Sequence, residues 1–210
     1  MADIVDTVLD KLGPHGLESI ASKLGLDRKQ AKRGVSTAVT ALTGALAHNA
    51  SKPEGARALD SALERDHDGG IFDNLGSYLG DFAAGPGKAI LGHVFGSKEP
   101  TVEKAVADKS GLPLDKVVPL LTMVAPLVLG ALGKKRKEEH LDASQMATTL
   151  AEEQAAAATK DDDGILGTVL GALGGPGGSG QSSPSGGSKG GLGGILDALG
   201  GLFGGKKKSG

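Results

Sequence analysis

Residues 112–137, LPLDKVVPLLTMVAPLVLGALGKKRK, are the longest apolar stretch of the chain, and the fold turns on how they are read. At helical spacing Leu114, Val118, Leu121, Ala125, Val128 and Leu132 make one apolar stripe. Val117, Leu120, Val124, Leu127 and Ala131 make a second beside it. A helix apolar on nearly all sides is either the centre of a helical core or a membrane span. Pro119 and Pro126 fall seven residues apart on one face, and each removes a backbone donor and bends the axis. Between its charged flanks the stretch from Val117 to Gly133 holds 17 residues, short of the about 20 that a bilayer core asks for. The other segments need a surface for their own apolar faces, so the stretch reads as a central core helix.

Those other segments are amphipathic helices. Residues 3–12 and 17–24 form two short ones, interrupted at Gly13-Pro14, with Gly25 as the stop. Asp27 precedes Gln30 by three positions, a capping box for a helix to about His48 whose inner face is Ala31, Val35, Ala38, Leu42, Ala45 and Leu46. Pro53 suits the first position of the next helix. A polar loop at residues 65–70 then leads to Ile71, Phe72, Leu75, Tyr78, Leu79 and Phe82. Three of the four Phe and the one Tyr lie between 72 and 95, so this segment is expected to fill the bulk of the core. Pro100 opens a further helix, and Asp142 with Gln145 forms a second capping box. The helix after it carries only a thin stripe of Met146, Leu150 and Ala157, and packs loosely or stands free. No run of β-branched residues alternates as a strand would, so the fold class is all-α.

Composition narrows the function classes. A net charge of −2 supplies no basic field for nucleic acid, and 2% aromatic residues leave almost nothing to stack bases on. With no cysteine, disulfides, thiolate metal sites and thiol nucleophiles are excluded. The opening MADIVDTVLDKLG has acids where a secretory signal needs a basic segment, and the expected address is the cytoplasm. There is no phosphate loop in a strand–helix context, no nucleophile elbow and no HExxH pair. The expectation is a protein that is not an enzyme and holds no cofactor.

The order of segments resembles a bacterial family, the YidB-like proteins, known as domain of unknown function 937. The residues that carry the resemblance are Leu24-Gly25-Leu26 with Gln30-Ala31, then Asp66-His67-Asp68-Gly69-Gly70 to Asp73-Asn74-Leu75. Ile90-Leu91-Gly92-His93 to Phe95-Gly96 follow, then Ser110-Gly111-Leu112 to Val117, and Ala125-Pro126-Leu127-Val128-Leu129-Gly130. The resemblance spans about residues 4–136 and implies a compact all-helical domain with no established activity.

Three features compete as sites. Asp66, His67, Asp68 and Asp73, joined by His93, carry the oxygen and imidazole groups a divalent metal takes. Their spacing matches no ligand motif, and the plainer reading is a turn shaped by Asp66 and Asp68 with a positive φ at Gly69-Gly70. His15, His48 and His140 stand alone and are expected to be exposed. The basic run Lys134-Lys135-Arg136-Lys137 suits anionic lipid or nucleic acid, but Glu138-Glu139 halve its field, so it reads as a solvated helix end.

The third feature lies in the tail. From residue 164 onward 19 of 47 residues are Gly, a composition expected to be disordered. Residues 164–175, GILGTVLGALGG, recur loosely as 194–205, GILDALGGLFGG, across a Gly/Ser/Pro linker. The candidate docking residues are Ile165, Leu166, Val169, Leu170 and Leu173, then Ile195, Leu196, Leu199, Leu202 and Phe203. Such segments dock as short helices on a protein partner, on a second copy or on an anionic membrane surface, or else they cover their own domain. The expected organisation is a helical domain over residues 1–137, a polar Ala/Glu-rich helix and linker over 138–163, and the tail over 164–210.

Overall fold

A computed structural model describes residues 3–160 and 164–174, and among these residues nine α-helices and three short 3-10 turns occur with no strand. The all-helical class holds. The first helix, α1 (Ile4–Leu24), starts with Asp3 accepting the Asp6 N–H at 2.7 Å. It is broken at Gly13 (φ +58, ψ −172), ahead of Pro14, where the interruption was expected. Next, α2 (Arg28–Ala50) has the full capping box: Gln30 N–H donates to Asp27 Oδ1 at 2.7 Å, and Asp27 N–H donates to Gln30 Oε1 at 2.9 Å. Pro53 opens α3 (Pro53–Arg65). Short elements follow: the 3-10 turn Gly70–Phe72, α4 (Leu75–Gly80), the turn Phe82–Ala84, α5 (Gly87–Phe95) and the turn Gly96–Lys98. The long elements are α6 (Glu99–Ser110), α7 (Leu114–Glu139), α8 (Ala143–Lys160) and finally α9 (Ile165–Leu173).

Residues of α7 from Met123 to Gly133 are buried without exception, and the helix contacts α1, α2, α3, α5 and α6. It is long and apolar enough to cross a membrane, but 78% of its apolar window is buried among these helices. Leu114 (49% exposed) and Val118 (38% exposed) depart from the expected stripe. Both lie to one side of the face that Val117, Leu120, Leu121 and Val124 bury, and Leu112 takes an inward position just ahead of the helix. Gly34 of α2 makes room there, since a Cβ on it would stand 2.6 Å from Leu112 Cδ1 and 2.8 Å from Leu120 Cδ2.

The mid-helix Pro126 leaves the Thr122 carbonyl without its usual helical donor. The Tyr78 hydroxyl approaches that turn, donating to Met123 O at 2.8 Å with Thr122 O at 3.3 Å. Gly87, at the start of α5, seats against the same carbonyl, where a Cβ would lie 2.0 Å from Thr122 O. The aromatic segment both closes the proline turn and contributes to the core: Leu79, Ile90, Leu91, Val94 and Phe95 are buried in it, while Phe72, Tyr78 and Phe82 are half-buried against it.

Two further expectations change. Helix α8 does not stand free, because Met146 and Leu150 are buried where it packs on α2 and α3. Its capping box forms, with Gln145 N–H donating to Asp142 and Asp142 N–H to Gln145, both at 2.9 Å. Residues Ile165–Leu173, assigned from sequence to a disordered tail beginning at 164, form α9 within the same compact unit as the preceding helices. Their apolar spacing finds a surface, and that surface repays the chain entropy that the surrounding glycines cost.

Candidate functional site

The loop at residues 66–70 lies directly on α7. A Cβ on Gly133 would stand 1.6 Å from His67 O, and one on Gly130 would stand 2.7 Å from Ile71 Cγ2. Gly69 takes φ +97, and the Gly70 N–H donates to Asp68 Oδ1 at 3.0 Å. These are the features of a seated turn. Among the described residues no group of three or more His, Asp or Glu side chains gathers as a metal ion needs, so Asp66, His67, Asp68 and Asp73 are not brought together. Instead Asp66 and His67 line a cleft of about 620 Å³ with His93, over a floor of Leu46, Ile90 and Leu129. Burial holds the His67 imidazole below its ordinary value, with the Asp66 carboxylate opposing. His15 and His140 are exposed and His48 is half-buried; His140 ends α7 in the left-handed region at φ +54.

The basic run is largely engaged. Arg136 Nε donates to Asp60 Oδ1, and its Nη2 lies 3.6 Å from Glu64 Oε2, tying α7 to α3. Lys135 Nζ lies 3.5 Å from Glu153 Oε1, while Glu153 Oε2 accepts the Ile4 N–H at 3.0 Å. One carboxylate thus joins α8, α7 and the start of α1. Lys134 pairs with Glu138 at 3.6 Å, and its ammonium pushes the neighbouring Lys11 below its ordinary value. The helix end is a network of pairs rather than an open basic patch. Sequence reading missed Glu153, which its half-buried place on α8 selects and which no local spacing marks.

The remaining site is the seat of α9. This helix packs on α2 and α6, with a smaller contact to α8. Ile165, Leu166 and Val169 are buried and Leu170 and Leu173 half-buried, whereas Gly167 and Thr168 face solvent. The seat opens at Gly44 of α2, where a Cβ would lie 2.6 Å from Leu166 Cδ2. Glycines in the left-handed region bound the helix on both sides, Gly164 at φ +65 and Gly174 at φ +85. Ile195, Leu196, Leu199, Leu202 and Phe203 lie outside the described residues.

Residues 6–135 match the family model described as a bacterial protein of unknown function, DUF937. The chain belongs to this family. No match appears among curated proteins or among solved structures. The DUF937 match covers α1 through most of α7, and it stops before α8 and α9 begin. Gly44 and α6 belong to the DUF937 region, so α9 covers a groove on the family domain with a segment from outside it.

Proposed function

We propose that this chain is a non-enzymatic interaction module, whose α2–α6 groove binds short apolar helices and whose tail supplies them. The observation behind the reading is the seat of α9: three buried side chains on one helical face, received where Gly44 leaves α2 bare. Short amphipathic helices laid into apolar grooves are a recurring mode of protein recognition, and here the anchors are Ile165, Leu166 and Val169. Self-association follows from the same chemistry, because the groove and a segment that fits it reside in one chain.

The test is binding of a fluorescent peptide with the sequence of residues 164–175 to the full chain, followed by anisotropy. On a chain carrying Leu166→Asp and Val169→Asp, which empties the seat, saturable binding of one peptide per chain is expected. On the native chain, binding is expected to be weaker, because the tethered α9 competes at high effective concentration. Absence of binding to the variant, with its helical circular dichroism intact, overturns the reading. Flotation of the native chain, but not of the variant, with anionic vesicles would point instead to a lipid surface as the tail's target.

A further inference from the structure

We propose that the cleft between α3 and α5 binds the aliphatic chain of a single-chain amphiphile, with the polar head left at its mouth. The site is separate from the seat of α9, since no residue of α9 lines it.

The cleft exists because α3 is held in place at both ends. Helices α3 and α5 both pack on α2 and α7. At its start α3 is seated on α2 through Gly55, where a Cβ would stand 2.0 Å from Asn49 O. The Asn49 side chain in turn donates from Nδ2 to Val94 O of α5 at 2.9 Å. At its other end α3 runs into the 66–70 loop, whose His67 carbonyl rests on Gly133 of α7. Closing α3 onto α5 would lift that loop, so the cleft of about 620 Å³ is preformed. Its volume falls in the ~300–1,000 Å³ range of small-molecule sites.

The lining selects the occupant. Leu46, Ile90, Val94 and Leu129 form the floor and keep 5–8% exposure, whereas Leu42, Leu91 and Leu132 of the same helices keep 0–1%. Water therefore reaches core side chains here, and an apolar occupant gains by displacing it. Ala58, Leu59 and Ala62 of α3 supply an aliphatic wall. From Gly55 to Arg65 that wall runs ~15 Å, a slot for an extended chain rather than a compact group. No aromatic side chain lines the cleft, so nothing in it rewards the face of a planar ring. The formal charges stand at the exposed rim and balance, Lys52 and Arg65 against Glu54 and Asp66. Half-buried His67 is held by burial below its ordinary value and adds no charge near neutral pH. The rim thus favours neither sign of head, and affinity comes from the chain.

The test is calorimetric titration of the full chain with decanol, decanoate and decyltrimethylammonium below their micelle concentrations. The pH is held at about 8, above the ordinary imidazole range. One site per chain is expected for all three, with dissociation constants within several-fold of one another and a negative heat-capacity change. Across octanoate, nonanoate and decanoate, affinity should rise about fourfold per methylene. Ala62→Leu fills part of the wall and is expected to weaken binding about tenfold or more. The same change at exposed Ala151 of α8 should leave binding unaltered. Should Ala62→Leu not fold, Ala58→Leu, at an exposed position of the same wall, decides. The Leu166→Asp, Val169→Asp chain is expected to keep the site, so a failure here and a failure of the α9 groove are told apart. Absence of saturable binding, or native affinity in the wall variants, overturns the proposal. A preference for one head larger than the gain from two methylenes overturns it too. Loss of binding in the Leu166→Asp, Val169→Asp chain would put the aliphatic chain at the α9 seat and likewise overturn it.

Discussion

Helices α7 and α9 are both apolar, and they are held by different means. At α7 the two tightest approaches are backbone to backbone: His67 O against Gly133 and Thr122 O against Gly87. At α9 the close approach is the tip of the Leu166 side chain over Gly44. A leucine tip changes rotamer at small cost, whereas a carbonyl fixed by its own loop does not move unless the loop moves. Burial separates them as well, all round for α7 and on one face for α9. Helix α7 is therefore expected to belong to the cooperative unit of the fold, and α9 to leave its seat while the rest stays folded.

The sharpest way to break this comparison is to add one methyl group to each glycine seat. Gly133→Ala is expected to destabilise by ~3–4 kcal/mol or more in urea unfolding, because the 66–70 loop must lift off α7. Gly44→Ala is expected to stay within ~1 kcal/mol of the native chain, since Leu166 yields and the helix-propensity gain of about 1 kcal/mol offsets the crowding. Equal losses at the two positions would mean that α9 is as integral as α7.

The sequence showed α7 because periodicity reports an all-round apolar helix directly, and it showed the helix starts at Asp27, Pro53 and Asp142 because capping boxes and a first-position proline are local chemistry. The seats were not legible. Gly130 and Gly133 read as helix interior, and their role appears only when the loop and turn at residues 66–72 are laid upon them. Glu153 bridges three helices through contacts that no spacing records. At α9 the apolar spacing was visible, but glycine-rich composition argued for disorder; what overrode it was a complementary surface on α2 and α6. The His-Asp loop read as a turn or a metal site, and its geometry is that of a turn, with Asp66 and His67 facing an apolar cleft.

Truncating a core leucine sharpens the contrast by separating global from local stability. Leu127→Ala, at a fully buried position of α7, is expected to cost ~3–5 kcal/mol of global stability. Leu166→Ala cannot cost more than the free energy with which α9 docks, because beyond that point the helix simply leaves. Its signature is faster hydrogen exchange in α9, with the protection of α7 unchanged. A global loss as large as that of Leu127→Ala would place both helices in one cooperative unit.

A smaller effect is expected from the polar contacts of each helix. Tyr78→Phe removes the donor at the Pro126 turn and leaves partly buried carbonyls of α7 without it, a loss of about 1–2 kcal/mol. Thr168→Val in α9 removes a 3.0 Å bond to Gly164 O, but Thr168 is exposed and water replaces the bond, so less than ~0.5 kcal/mol is expected. Burial also raises the Tyr78 phenol above its ordinary value. The unfolded chain therefore ionises first as pH rises through about 10. The part of α7's stability that depends on this hydroxyl is lost on that alkaline side and retained below it.

The smallest expected effect is acidic, and it distinguishes the two helices by chemistry alone. His67, whose backbone carbonyl rests on Gly133, is held by burial below its ordinary value. Below about pH 6.5 the unfolded chain takes up a proton that the folded chain resists, so His67's contribution to stability is complete above that pH and declines as pH falls through it. Glu103 acts in the opposite sense, since burial and Glu99 raise its carboxyl and its contribution is lost as pH rises. Comparing the native chain with His67→Gln cancels Glu103 and every other group common to both. The native chain should lose more of its unfolding midpoint than His67→Gln between pH 7 and 5. Helix α9 carries no titratable side chain, so its hydrogen-exchange opening, corrected for the intrinsic pH dependence of exchange, should be the same in both proteins across that range. An α9 opening that followed the His67 difference would show the tail seat to be coupled to the loop on α7, and the separation between the two helices would not hold.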